Sequence, residues 1–415
     1  MSVFKPFKAI RPLPDHASSV ASRPYDVLNS NEAKVEAEGN ELSFLHVVKP
    51  EIDLPSDTDP YCDEVYQKGK ENFNRLRSNG ILVQEAANSF YVYRLTMDGR
   101  SQTGLVGCCF FEEYFDGIIK KHELTRTAKE NDRVNHVECL NANAEPVFFS
   151  YRGMDSINEL VSQKVKDHPM FDFQADDGVQ HELWSISEPN DVMFIEEAFK
   201  DVPYLYVADG HHRTAAAARI GKKRKDANSN HSGGEEYNFF LAVLFPEDQL
   251  KIFDYNRVVK DLNGLSASEF LIKLEDSFSV SKIEGGGEIR PSAMREFTLY
   301  LEGSWYRLIA KEGSWNDKDP VGDLDVTILS EKVLAPVLNI IDLRKDNRID
   351  FVGGIRGLAE LEKRVDSGEM KAAFALYPVT MQQLLNIADA GEIMPPKTTW
   401  FEPKLRSGLF VHDLE

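Results

Sequence analysis

The apolar positions of this chain recur at two short periods that interleave along its whole length, so helices and strands are both expected throughout. The run at 43–48 (Ser-Phe-Leu-His-Val-Val) has strand length and predicts a strand, whereas residues 61–79 carry helical periodicity and stop at Gly80. Two segments, 89–95 and 103–110, alternate or run apolar around Asp98-Gly99. That dipeptide suits a tight turn, so the pair predicts an antiparallel hairpin. Residues 130–140 predict a helix and 147–151 a strand. Helix and strand then alternate: helix 156–167, strand 182–186, helix 191–199, a strand-loop-helix across 204–218, and strand 239–245. Farther on, 296–301 and 305–310 predict a second hairpin, 329–338 a helix, 370–377 a strand and 381–390 a helix.

This mixture predicts an α+β fold with mixed, largely antiparallel sheets and flanking helices. A chain of 415 residues exceeds what one core ordinarily organises. The glycine run at 285–287 marks the expected boundary, between an N-terminal and central α/β region over 1–284 and a C-terminal α/β subdomain over 285–415.

The strand-loop-helix at 204–218 reads Tyr-Leu-Tyr-Val-Ala-Asp-Gly-His-His-Arg-Thr-Ala-Ala-Ala-Ala. Aromatic and β-branched residues open it as a strand, and alanines close it as a helix. Such a junction aims free backbone N–H groups and the positive end of the helix dipole at whatever lies beyond it. Gly210 removes the Cβ that would keep a ligand off the backbone. Arg213, in the first helical turn, brings a fork suited to phosphate oxygens. With Asp209, His211 and His212 beside it and Thr214 one residue on, the segment reads as an anion site with an acid and two candidate bases. Asp209 alone can be an N-cap and Gly210 a turn residue. Five consecutive residues of this kind at one junction favour function.

Three other stretches carry chemistry. Lys120-Lys121-His122-Glu123-Leu124-Thr125-Arg126-Thr127 follows an expected strand at 115–119, with Arg133 a short helix away. Glu123, among cations, stays ionised and is a candidate general base, while His122, Arg126 and Arg133 are candidate substrate contacts. The proline-stiffened cationic stretch 394–408 offers Lys397, Thr398 and Lys404 as phosphate ligands, and its aperiodic length argues for a shaped loop. Arg23, Tyr25 and Asp26, in the compact loop at 22–27, are weaker candidates for substrate binding. Arg257, in Asp254-Tyr255-Asn256-Arg257-Val258-Val259, reads as a salt-bridge partner. The glycines at 353, 354 and 357 match neither a P-loop nor a dinucleotide fingerprint.

A formal net charge of -20 disfavours nucleic acid as a partner, because such binding draws its affinity from neutralised phosphates. The dense basic run Lys222-Lys223-Arg224-Lys225 lies beside Gly, Asn and Ser and reads as a solvated loop. No apolar run has the length of a bilayer span, so no membrane partner is expected. The opening residues lack an apolar core of the secretory type. The four cysteines show no metal-type spacing, and Cys108-Cys109 within an apolar run read as reduced core residues, which fits a cytoplasmic location.

Taken together, Arg-Pro-Tyr-Asp-Val at 23–27, Lys121-His122-Glu123 with Arg133, Ala208-Asp209-Gly210-His211-His212-Arg213, and Met394-Pro395-Pro396-Lys397-Thr398-Thr399 resemble a bacterial and archaeal family, domain-of-unknown-function family 1015. The resemblance spans essentially the whole chain, and that family label carries no settled activity. Asp209 through Arg213 is also similar to the phosphate-binding motif of the ParB/sulfiredoxin superfamily, whose free-serine kinases hold nucleotide phosphates on such a segment and use a glutamate to deprotonate the acceptor hydroxyl. That likeness implies a ParB/sulfiredoxin-like core, with Gly210, His211, His212 and Arg213 on phosphate and Asp209 near Mg²⁺ or the acceptor. The expected function is a nucleotide-dependent phosphotransferase, using ATP or ADP with Mg²⁺ on a small hydroxyl-bearing metabolite such as serine. The alternative is a nucleotide-binding regulator or adaptor. A sulfiredoxin-like reductase would need a cysteine near the motif, and none is close in sequence. A homo-oligomer is compatible with either reading.

Overall fold

The computed structural model describes residues 2–284 and 289–415, so the expected boundary at 285–287 lies outside the described residues. The chain forms two compact units, Met1–Leu250 with Pro403–Glu415, and Lys251–Glu402. Both mix helices with mostly antiparallel sheet, which gives the α+β class.

In the first unit a nine-stranded sheet comprises β1 (Phe4–Lys5), β2 (Phe90–Met97), β3 (Arg100–Phe110), β4 (Ile119–Lys120), β5 (Val147–Tyr151), β6 (Phe171–Gln174), β7 (Gln180–Ile186), β8 (Leu205–Asp209) and β9 (Phe239–Pro246). The order is β4-β8-β5-β9-β3-β2-β7-β6, with β1 added beside β3. The β4–β8 and β5–β9 pairs run parallel and the others antiparallel. The hairpin expected around Asp98-Gly99 forms, with φ of 51° and 76° at the two turn residues, the left-handed pair that matches the twist of the flanking strands.

Helix α1 (Asp63–Ser78) packs on α2 (Thr127–Leu140), which packs on α5 (His211–Ala227) beside the sheet, and α3 (Asp155–Lys164) packs on α4 (Pro189–Phe199). Helix α5 leaves directly from the end of β8. Its residues Ala215–Ala218 are buried, and at Gly221 a Cβ would stand 2.5 Å from the Phe111 ring. Small side chains therefore do more than favour helix: they let α5 lie close against Phe111.

Three local expectations are corrected. The run at 43–48 holds a helical turn, Leu45–Val48, rather than a strand. Its apolar residues are buried together with Phe73 and Leu76 of α1, and an apolar run buried all round has no period to tell strand from helix. The strand expected at 115–119 shrinks to β4, because Glu112–Phe115 is helical and Gly117 turns the chain at φ 75°. The basic run at 222–225 is not a solvated loop. It continues α5 in good helix formers, with Lys223 paired to Glu138 at 2.7 Å and Lys225 paired to Glu112.

The last residues return to the first unit. Ile10 and Val411 exchange backbone hydrogen bonds, as do Ser22 and Ser407, and His412-Asp413 pairs with Ala142-Asn143. Arg406 is buried there, donating to His181 Nε2 at 3.3 Å and pairing with Asp177, while the Tyr93 hydroxyl lies 2.8 Å from His181 Nδ1.

The second unit has a six-stranded sheet of β10 (Tyr255–Val259), β11 (Phe278–Lys282), β12 (Glu296–Leu301), β13 (Ser304–Ala310), β14 (Ile349–Gly353) and β15 (Ala372–Leu376), ordered β11-β13-β12-β15-β10-β14 and antiparallel throughout. Helices α6 (Leu358–Asp366) and α7 (Met381–Asp389) accompany it. Leu361 of α6 packs with Val258, Val352, Tyr300 and Trp305.

His136 of α2 tests the first unit's packing by pH. Its Nε2 donates to the Val47 carbonyl at 2.8 Å, and burial, helped by the charge of Arg133, lowers its pKa to about 4. An unfolded histidine titrates near ~6.5. Between those values the unfolded chain holds the extra proton, so acidification favours unfolding. Glu113, raised to about 7 by burial, acts in the opposite sense, so the comparison must be with a variant. His136→Gln keeps a donor for Val47 and removes the titration. Denaturant unfolding between about pH 6 and pH 4.5 should show the wild type losing up to about 1.4 kcal/mol more per pH unit than the variant. Parallel curves would contradict this account of His136.

Candidate functional site

β8 ends at Asp209, and the chain turns into α5 through Gly210 at φ 88° and ψ 35°, in the left-handed region. Any Cβ here would be strained, and it would meet the Arg213 guanidinium at 3.0–3.1 Å. Glycine is required twice over. No side chain caps the helix start. Thr214 is the first residue whose N–H finds a carbonyl, that of Gly210 at 2.9 Å, and its hydroxyl donates to the same oxygen at 3.0 Å. The N–H groups of His211, His212 and Arg213 have no hydrogen-bond partner among the described residues. The Thr214 hydroxyl is thus committed to the helix, while three backbone donors at the positive end of the dipole remain open.

Asp209 lies between two cations. Its Oδ2 is 3.3 Å from Arg213 Nη2 and its Oδ1 3.6 Å from Lys404 Nζ. Burial raises its pKa, but Lys404 and Arg213 outweigh that and hold the carboxyl below the usual range. Arg213 is itself buried, donating to the Pro146 carbonyl at 2.7 Å as well, and its Nε has no partner. Its fork is turned inward, onto the loop before β5, rather than outward as an open phosphate clamp.

That loop holds a residue the sequence reading missed. The buried Glu145 accepts the Tyr25 N–H at 3.0 Å, the Ser407 hydroxyl at 3.1 Å and Arg133 Nη1 at 3.3 Å. Arg133 also binds Asp132 at 2.8 Å and lies 3.9 Å from the centroid of the Tyr25 ring. Glu145-Pro146 therefore gathers the 22–27 loop, α2, α5 and the C-terminal segment. Nothing in an acid followed by proline announces this, because every partner is distant in sequence. Asp26, exposed beside Tyr25, adds to the negative field that keeps Arg213 charged. Arg23 turns elsewhere, 3.4 Å from Glu36 and 3.9 Å from Asp177.

The 120–133 stretch also reaches the junction. His122 and His211 meet edge to face, ring centroids 4.6 Å apart, and Glu123 Oε2 is 4.0 Å from His211 Nδ1. The Arg126 N–H donates to His212 Nε2 at 3.0 Å, which places that ring's proton on Nδ1, and the Arg126 side chain is exposed. Burial lowers all three imidazoles: His122 to about 4, His211 well below its ordinary value with help from His122 and His212, and His212 with help from Lys129. They are neutral near pH 7. Positive charge at the site therefore comes from lysine, arginine and the helix end.

The structure thus brings Tyr25, Asp26, His122, Glu123, Arg126, Arg133 and Lys404 around Asp209–Arg213. Lys397 and Thr398 belong to the second unit, where the Thr398 hydroxyl donates to the Pro395 carbonyl at 2.6 Å. The residues do not fit a protein-held Mg²⁺. Both Asp209 oxygens face cations, and no group of three His, Cys, Asp or Glu suited to a metal occurs among the described residues. No helix among the described residues is long and apolar enough to cross a membrane.

Comparison with known proteins gives the following. No curated protein matches the chain. Among solved structures it is similar to a conserved hypothetical protein from Pyrococcus furiosus (14% identity, 74% of this chain and 94% of that one, TM-score 0.36). It is also similar to a free serine kinase in complex with AMP (12% identity, 74% and 91%, TM-score 0.37) and to a C-terminally truncated SbnI from Staphylococcus aureus (12% identity, 72% and 82%, TM-score 0.37). The family described as "Protein of unknown function (DUF1015)" matches residues 4–327, more than half of the sequence, and the chain belongs to that family.

Proposed function

We propose that the first unit binds a nucleotide by its phosphates at the Gly210 junction and transfers a phosphoryl group to a small hydroxyl-bearing metabolite, with free serine the leading candidate. The observation that carries this reading is the trio of unpartnered N–H groups at His211, His212 and Arg213, opened by a glycine that tolerates no side chain. Phosphoryl transfer depends mainly on positioning and charge neutralisation. The helix end and Lys404 supply both, with Asp209 holding Lys404 in place. Arg213 acts from beneath, fixing Asp209 and the Pro146 loop. Glu123, partly exposed beside His211, is the base that takes the acceptor proton. No step runs through a metal held by protein ligands; Mg²⁺, where needed, arrives on the nucleotide.

The second reading, a nucleotide-dependent regulator, is favoured by one observation. The acid nearest the helix start is committed to two cations and is a poor base. Incubation with ATP, ADP or CTP, Mg²⁺ and pooled hydroxyl metabolites, followed by ³¹P NMR, separates the two. A phosphorylated metabolite supports the kinase, whereas binding without product supports the regulator.

Two variants examine the phosphate cradle. Gly210→Ala strains the junction and drives a methyl against the Arg213 guanidinium, disturbing the donors beside it, and Lys404→Met removes the lysine paired with Asp209. Each should weaken nucleotide binding by calorimetry roughly 10- to 100-fold, the worth of a charge-assisted hydrogen bond. An unchanged Kd in both would remove the site from consideration. For the chemistry, Glu123→Gln should lower product formation about 100-fold or more while nucleotide affinity stays near wild type. Full activity in that variant would assign the base elsewhere.

A further inference from the structure

In the second unit a buried cation has no anionic partner among the described residues. Arg257, on the interior strand β10, is 1% exposed. The expected salt bridge is not formed among the described residues. Two acids on adjoining backbone are engaged elsewhere: Asp254 with Arg290 at 3.2 Å and Asn256 at 2.7 Å, and Asp350 with Arg364 at 2.8 Å. Among the described residues Arg257 donates to carbonyls, those of Tyr255 and, at 3.4 Å, Pro396, and its Nε has no partner. Its guanidinium lies 5.2 Å from the Phe351 ring centroid. Burial lowers its pKa to about 10, opposed only by Tyr255. Buried charges are ordinarily paired, because desolvation of an ion costs several kcal/mol or more.

A second, exposed cation belongs to the loop whose carbonyl Arg257 holds. Lys397 follows the Pro396 that Arg257 holds, and its ammonium is 5.6 Å from the centroid of the Tyr255 ring. It forms no ion pair among the described residues. Its φ of 57° is a conformation that non-glycine residues avoid, and the loop holds it there through Arg257 on Pro396 and Thr398 on Pro395. Such strain concentrates where a side chain is being presented to a ligand.

We infer that Arg257 and Lys397 form an oxyanion site in the second unit, built for a phosphate or phosphoryl group. The anion takes the place of the Pro396 carbonyl, whose 3.4 Å bond is a weak contact, and receives the open edge of the guanidinium and the Lys397 ammonium. This inference does not depend on the nucleotide site of the first unit. Free phosphate and the phosphoryl group of a larger metabolite share this chemistry.

The test follows thermal unfolding of the full chain against inorganic phosphate and against a simple phosphomonoester, glycerol 3-phosphate. The Gly210→Ala background weakens any contribution from the first unit. Wild type and Gly210→Ala should both gain melting temperature. Lys397→Gly, which relieves the backbone strain, should melt no lower than wild type yet need at least tenfold more phosphate for the same gain. Arg257→Met should fold, by circular dichroism, and lose the response. A gain with phosphate alone assigns the free anion, and a gain at lower ester concentration assigns a phosphorylated metabolite; both uphold the site. No gain in wild type, a gain lost in Gly210→Ala, or an undiminished gain in Lys397→Gly would overturn it.

Discussion

A helix that starts where a strand ends has donors with nowhere to donate, and three of them find no partner among the described residues of the first unit. In most proteins a Ser, Thr, Asp or Asn at the N-cap would close that end. Here the cap is Gly210, forced by its positive φ and by the guanidinium beneath it. Much of the surrounding structure serves that opening. Alanines and Gly221 seat α5 firmly, so the helix end is fixed in space. Arg213 braces Asp209 and Pro146, and Glu145 ties in the 22–27 loop, α2 and the C-terminal segment that delivers Lys404. The three neutral imidazoles and the lysine provide polarity of both kinds without a stranded negative charge facing the open donors.

Two buried arginines show how context decides the role of one residue type. Arg213 has Asp209 against it and the field of Asp26 and Glu145 around it, so its charge is compensated and it works as a brace. Arg257 has carbonyls and an aromatic face only. Both leave Nε without a partner, so what separates them is the acid beside Arg213 and the carbonyl-only surroundings of Arg257.

The sequence made the junction legible because it is local: strand residues, Asp-Gly and helix formers follow one another, and the chemistry lies in consecutive positions. The Asp98-Gly99 hairpin was readable for the same reason. What depended on remote partners was not. Glu145 has no motif, since Tyr25, Ser407 and Arg133 come from three other segments. Arg213 looked like an outward fork because nothing in the chain announces that the Pro146 carbonyl would capture it. Arg257 looked like an ordinary ion-pair member because the commitment of Asp254 and Asp350 to other arginines is a fact of three dimensions. Helical turns such as Leu45–Val48 were missed because burial on all sides erases the period that distinguishes them from strand.

The central claim is that backbone donors at the start of α5 hold phosphate, and the amide resonances of His211, His212 and Arg213 report on it directly. Titration of isotopically labelled protein with ATP or ADP, followed by ¹H–¹⁵N correlation spectra, should move those three amides together, saturably and downfield, at the concentration where the nucleotide binds. Nucleotide binding with these amides unmoved, or no binding at all, would contradict the account.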